Sequence, residues 1–311
     1  MNTVRQRSLA LLWNNSSGWS DSDQTRQLVE SVLGSDGSRV TVRQVQRGMN
    51  IVEASTRVAA SGADVLVAAG GDGTINAAAS ALIYHATALG VIPAGTLNHF
   101  ARDLHIPLGP EEAAQSLVDG QVIQVDAATV NGRVFINNSV LGLFPKYRSV
   151  REAWDRHGFG SSRLGRFIAI VAAVWRVFWR LPHLAVSMTI NGRQHKLRTP
   201  FVLVGNNEHE MEGFAFGRRR RLDKGMLWVY SMRPCTRWKL LRLIVGLVFG
   251  HAPRESIFHV FRTPQVTIDS KRRRIGVGID GEMVRMRAPL HFESLPGALK
   301  VIAPSSYLAI E

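Results

Sequence analysis

Three short stretches hold residue types that can handle a phosphate. The sharpest is Gly70-Gly71-Asp72-Gly73-Thr74-Ile75-Asn76, after the apolar run Asp64 to Ala69 and before an alanine-rich helical pattern. Three glycines permit backbone angles and close approach that side chains would block. A helix opening there offers unpaired N–H groups and the positive end of its dipole to an anion. A carboxylate such as Asp72 can face phosphates only with a cation between them, and Mg²⁺ commonly fills that role. The same residues also read as a glycine-rich turn with Asp72 capping a helix. The second stretch is Pro93-Ala94-Gly95-Thr96-Leu97-Asn98-His99-Phe100-Ala101-Arg102-Asp103-Leu104. Thr96 and Asn98 could reach a nucleotide held by the first loop, or serve as helix caps. The third, Ile279-Asp280-Gly281-Glu282, reads as a hairpin turn. Glu282 is also a candidate general base for an attacking hydroxyl.

The elements around these stretches follow from hydrophobic periodicity. Ser8 to Trp13, Arg39 to Val45, Asp64 to Ala69 and Ala88 to Ile92 read as strands. Asp21 to Leu33, Ile51 to Ala60 and a segment starting near Thr74 read as helices. The alternation predicts a doubly wound, Rossmann-like parallel sheet, whose ligands sit outside the carboxyl ends of its strands. The second half reads as strands at Val122 to Val130, Gly132 to Val140, Leu184 to Ile190, Phe201 to Gly205, Met226 to Met232, Pro264 to Ile268, Arg274 to Ile279 and Glu282 to Arg287. Asn191-Gly192 and Asp280-Gly281 are hairpin signals between them. The expected fold class is therefore α/β, a nucleotide-binding domain over 1–128 followed by an antiparallel, sandwich-like domain over 129–311. Two helices, Arg163 to Arg180 and Arg237 to Phe249, are expected to interrupt the second domain.

Composition narrows the partners. The 311 residues include 38 Lys and Arg against 24 Asp and Glu, a net charge of +14. Of the basic residues 32 are arginine, so the charge is permanent and suited to bidentate phosphate contacts. Anionic partners follow: nucleic acid, an anionic membrane or a phosphorylated substrate. At 45% hydrophobic and 20% charged, the chain excludes a disordered tail and a small stapled scaffold. A single cysteine, Cys235, excludes an internal disulfide. The longest apolar run, Phe167 to Trp175, falls short of the ~20 residues a bilayer requires. Leu9 to Trp13 is too short for a signal sequence, so the expected location is the cytoplasm.

Taken together, GGDGT, then PAGTLNHFARDL, then the late DGE resemble the diacylglycerol kinase catalytic-domain family, which includes bacterial lipid kinases and sphingosine kinases. Asn14-Asn15-Ser16-Ser17-Gly18 is similar to the family's Asn-Pro-x-Ser-Gly, and Val125-Asp126 to its Val-Asp. Pro296 to Pro304 resembles its C-terminal signature. The resemblance spans nearly the whole chain. It implies an ATP-binding domain and a β-rich lipid-substrate domain with the active site between them, the extreme C-terminus packing back on the first domain. It implies that Gly70, Gly71, Asp72, Gly73, Thr74 and Asn76 hold ATP phosphates, with Asn14, Thr96 and Asn98 lining the same site. Asp72 and Asp126 would belong to the Mg²⁺ network, and Glu282 would activate a lipid hydroxyl, diacylglycerol-like or a related alcohol.

Two departures stand out. His99 occupies the place of an acidic residue in the family's metal network; it could bond Asp126 or a phosphate, or cap the helix. Lys224 occupies the place of an acidic ligand to a structural Mg²⁺, so that metal is expected to be absent. NAD kinase is an alternative, since it too uses a Gly-Gly-Asp-Gly loop and Asn207-Glu208 is similar to its Asn-Glu. A catalytically silent lipid-binding regulator is the other.

A lipid kinase works at an interface, peripheral to the inner face of the membrane. Gly165 to Leu181 interleaves Trp175 and Trp179 with arginine, as interfacial helices do, and Trp238, Lys239 and Arg242 repeat that composition. Both segments also read as ordinary core helices. Arg218 to Arg221 and Lys271 to Arg274 are basic clusters suited to an anionic leaflet. No nucleic-acid-binding signature accompanies them, so specific nucleic-acid binding is not expected. The lipid's identity and the oligomeric state, a homodimer among the options, are not legible.

Overall fold

The structure, a computed structural model, describes residues 6–14, 22–45, 49–142, 184–212, 215–233 and 258–309. The predicted helices at Arg163 to Arg180 and Arg237 to Phe249, the turn from Asn15 to Gly18, and Cys235 lie outside them. The chain divides into two units: Met1–Asn137 with Arg218–Gly225 and Ser294–Glu311, and Asn138–Gly217 with Met226–Glu293.

The first unit begins with β1 (Ser8–Asn14), α1 (Ser22–Leu33), β2 (Arg39–Val45), α2 (Ile51–Ala60), β3 (Val65–Gly70), α3 (Asp72–Ala81) and β4 (Ala88–Pro93). The four strands form a parallel sheet in the order β2-β1-β3-β4. Every residue of β3 and β4 is buried, as expected where helices cover both faces. Asn50 starts α2 by accepting the Glu53 amide at 3.3 Å, the side-chain cap that helices favour. The unit continues through α4 (His99–Asp103), α5 (Pro110–Val118), β5 (Gln121–Val130) and β6 (Arg133–Phe135). α1 packs against α5, and α2 against α3. The strand order reverses between β1 and β3, so the switch point lies where Asn14 and Gly70 end their strands.

The second unit holds β7 (Asn138–Gly142), β8 (Leu184–Ile190), β9 (Arg193–Thr199), β10 (Phe201–Asn206), β11 (Met211–Glu212), β12 (Ala215–Phe216), β13 (Leu227–Met232), β14 (Phe258–Thr263), β15 (Gln265–Ser270), β16 (Arg274–Ile279) and β17 (Glu282–Arg287). Six strands pair antiparallel in the order β14-β13-β10-β7-β16-β17. β15 pairs antiparallel with the start of β18 (Leu290–Ala303), β8 with β15, and β9 with β8 at the sheet edge. Alternating burial along β8 and β16 gives each one buried face. Asn191 and Gly192, then Asp280 and Gly281, all take positive φ, the conformation of tight two-residue hairpins. The later residues of β18 belong to the first unit, where Val301 pairs with Leu89 and β5 joins the same strand. A last turn, α6 (Ser305–Leu308), follows. Among the described residues no helix is long and apolar enough to cross a membrane.

The strand expected over Gly132 to Val140 is broken between Phe135 and Asn138. Arg219 is the reason: its guanidinium donates to the Ile136 carbonyl at 2.6 Å and to Asn137 Oδ1 at 2.8 Å. The helix expected near Thr74 starts at Asp72.

Candidate nucleotide and phosphate site

Gly70 must lack a side chain: a Cβ there would stand 2.6 Å from Thr74 Oγ1. Thr74 is buried, and its Oγ1 accepts from Asn14 Nδ2 at 2.9 Å, bridging the two strand ends of the switch point. Gly71 caps α3 without a side chain, and its carbonyl accepts from the Thr74 and Ile75 amides. The amides of Asp72 and Gly73 ahead of them are thus left for an outside acceptor. Gly73 is exposed, and nothing stands within 4 Å of where its Cβ would be. An uncapped ten-residue helix behind a bare, open glycine fits a phosphate group. Asn76 lies four residues after Asp72, on the same helix face.

The second loop lies directly against the first. A Cβ on Gly95 would be 2.8 Å from Gly71 Cα, and the Ala94 amide donates to the Gly70 carbonyl at 2.9 Å. Asp72 ties the two together. Its carboxylate accepts the Asn98 amide at 3.0 Å and the His99 amide at 2.8 Å. The residue therefore caps α4, not its own helix. A carboxylate offers about four acceptor positions, so two bonds leave capacity for a cation. Among the described residues no group of three or more His, Cys, Asp or Glu could hold a metal. Mg²⁺ usually takes one or two carboxylates with substrate phosphates and water, so Asp72 fits that manner of binding.

Asn98, expected beside the nucleotide, folds back on its own loop. Its Oδ1 accepts the Gly95 amide and its Nδ2 donates to the Gly95 carbonyl, both at 2.8 Å, with its backbone left-handed at φ 51°. It shapes the loop, while the neighbouring Thr96 is exposed. His99 opens α4 through its amide, and its ring is exposed.

Asp126, expected beside the metal, is 2% exposed. It accepts the Gly225 amide at 2.6 Å and the Gly297 amide at 2.8 Å. Both glycines have positive φ, and the carboxylate pins these two backbone positions from distant segments. Asp223 is bound twice by Arg221, at 3.0 and 2.6 Å, and that guanidinium holds its carboxyl below the usual range. A cation here is thus supplied by the chain itself, next to Lys224. Sequence reasoning missed Arg219 and Asp103: the pair is buried, with Arg219 Nε at 2.8 Å from the carboxylate. Arg219 reads as one of four surface arginines, and nothing local marks it as the one turned inward.

In the second unit, Glu282 is the exposed first residue of β17, paired with Ile279. Asp280 fixes the turn before it by accepting the Asn138 amide and donating its own to the Asn138 carbonyl, both at 2.9 Å.

A parallel sheet with two touching glycine loops at its switch point, followed by an antiparallel β unit, is a setting in which α/β proteins hold a phosphate-bearing ligand. Residues 8–130 match the diacylglycerol kinase catalytic domain, and residues 161–303 match the YegS C-terminal NAD kinase beta sandwich-like domain. A probable lipid kinase YegS-like from Pseudomonas aeruginosa strain UCBPP-PA14 is 30% identical over 258 residues, 79% of this chain and 78% of that one. A probable lipid kinase YegS-like from Yersinia pestis strain Pestoides F is 33% identical over 246 residues, 77% of this chain and 78% of its own. The crystal structure of a diacylglycerol kinase from Bacillus anthracis strain Sterne superposes with a TM-score of 0.75, covering 97% of this chain and 99% of that one. At 20% identity that likeness is one of fold. The chain belongs to the diacylglycerol kinase catalytic-domain family, alongside the YegS-like lipid kinases, and is an enzyme of that class.

Proposed function

We propose that the protein transfers the γ-phosphoryl group of ATP to the hydroxyl of a lipid alcohol, diacylglycerol or a relative of it, with Mg²⁺ as cofactor. The observation that carries the reading is the Asp72 tie, which sets two glycine loops backbone to backbone at the N-terminus of α3. Phosphoryl transfer requires mostly positioning and charge stabilisation, and preset backbone amides supply both. Gly71 and Gly73 let the phosphates approach; Asn14 and Thr74 hold the strand end in place; Thr96 and Asn76 line the rim. Asn98 acts through the loop it shapes. Asp72 would hold Mg²⁺, which when bound neutralises phosphate charge. Glu282 is assigned the proton of the attacking lipid hydroxyl. Such an acceptor places the enzyme at the inner face of a membrane.

The test is transfer from γ-labelled ATP, with Mg²⁺, to a total lipid extract in mixed micelles, beside Glu282→Ala. A labelled lipid made by the wild type, with a loss of about a hundredfold or more in the variant that still binds ATP, is expected. Equal activity of the variant would remove Glu282 from its role. Label on NAD instead of lipid would overturn the lipid reading.

A further inference from the structure

The sequence holds two runs of four cations, and the structure treats them differently. In the run from Arg218 to Arg221, Arg219 is buried against Asp103, and Arg221 is spent on Asp223. In the other, Lys271, Arg272, Arg273 and Arg274 are all exposed, where the chain turns from β15 into β16. The hairpin adds to that second run. Arg287 stands across from Arg274 and Arg285 across from Gly276, both exposed. Alternate residues share a face, so Arg274, Arg285, Arg287 and Met283 lie together while Ile275, Val277 and Ile279 fill the buried side. Met283 is itself 46% exposed, and its Cε lies 3.4 Å from where a Cβ of Gly276 would stand.

Among the described residues of β15 to β17, the opposing charges are Asp269, which accepts the Ser270 amide at 2.8 Å, and Asp280 and Glu282 at the far end of the hairpin. At the rise of a β-strand the far end is about 17 Å away, roughly two Debye lengths at physiological salt. The five cations Lys271 to Arg274 and Arg287 are therefore largely screened from Asp280 and Glu282, while Arg285, three residues from Glu282, stands about 10 Å from it.

We propose that this open end of the β16–β17 hairpin is the surface by which the protein docks on an anionic lipid bilayer. The inference rests on the lipid-kinase reading for its partner and names the surface that meets it. Cations beside an exposed apolar side chain suit a leaflet of acidic phospholipid. Single-stranded nucleic acid is bound largely by stacking on aromatic rings, and this face carries none.

The test compares two full-length variants with equal charge removed. One is Arg272→Gln, Arg274→Gln and Arg285→Gln on the hairpin. The other is Arg193→Gln, Lys196→Gln and Arg198→Gln on β9, where all three side chains are also exposed. Binding is read by co-sedimentation with phosphatidylcholine vesicles, with and without phosphatidylglycerol. The hairpin variant is expected to bind the anionic vesicles on the order of a hundredfold more weakly. The β9 variant should bind like the wild type, and all binding should fall with added salt. Both variants should keep their melting temperature and their phosphoryl transfer in neutral detergent micelles. Equal weakening of the two variants, or undiminished binding by the hairpin variant, would overturn the proposal. So would tighter binding of single-stranded DNA than of anionic vesicles through the same cations. Vesicle binding that depends on the hairpin in a protein that transfers no phosphate would support the surface and defeat the kinase reading.

Discussion

Asp72 and Asp126 use one piece of chemistry twice: each carboxylate accepts two backbone amides from elsewhere in the chain. Their burial separates their roles. Asp126 is 2% exposed, and losing an acceptor there leaves an amide with no water to turn to. Asp126→Asn presents one acceptor oxygen and an NH₂ that meets a second N–H donor. An unsatisfied buried donor costs about 1–3 kcal/mol, so urea unfolding should show that loss. Asp72 is partly exposed, and one lost bond there costs only about 1 kcal/mol. Asp72→Asn should instead lower transfer by roughly a hundredfold or more, through the charge and loop alignment it removes. A variant pair with the reverse pattern, activity lost at Asp126 alone and stability at Asp72 alone, would exchange the two roles. The sequence shows that both aspartates are candidates. It does not show the sorting, because the amides that Asp72 and Asp126 accept come from partners 26 to 171 residues away.

At the scale of elements, α4 has five residues, too few to be stable alone. It is fixed at both ends. Asp72 holds its first amides, and buried Arg219 holds Asp103 at its last residue, with side-chain exposures of 0% and 7%. Arg219→Ala would leave that carboxylate buried without its cation, at a cost of about 3–5 kcal/mol in urea unfolding, and should weaken ATP binding through the loop. Arg219→Met combined with Asp103→Leu removes the unpaired charge and should restore part of that stability, but not the bonds to Ile136, Asn137 and the Arg219 amide. If the double variant is as unstable as the single, the pair does more than satisfy itself. Elements whose periodicity is local were legible: β2, α2, β8, β16 and β17 stand at their expected bounds. α5 was missed although Pro110, Glu111 and Glu112 are helix-start signals, because its apolar face is mostly alanine. β9 was missed for an opposite reason. It is an edge strand, mostly exposed and cationic, the composition that keeps sheet edges from pairing.

For the whole molecule, the piece that local reading weighs least is the C-terminal half of β18. Pro296 and Gly297 are residue types common in turns, yet the strand runs through them. In the first unit Leu299, Val301 and Ile302 are at most 1% exposed. The Ala298 carbonyl accepts the Tyr84 amide at 2.7 Å, and Gly297 supplies one of the two amides on Asp126. Burying three large aliphatic side chains contributes about 5–8 kcal/mol, comparable to the entire stability of an ordinary domain. A chain ending at Glu293 removes that contribution and uncovers β4, whose residues are all buried in the intact unit. The expected result is a protein that no longer shows a thermal shift with ATP and Mg²⁺. Limited proteolysis should cut it first within residues 6–137, although every residue proposed to bind phosphate is still present. Cooperative melting at the full-length temperature, with the ATP shift kept, would mean that the parallel sheet stands without its fifth strand. The burial of Leu299, Val301 and Ile302 would then be a consequence of that unit's folding, not one of its causes.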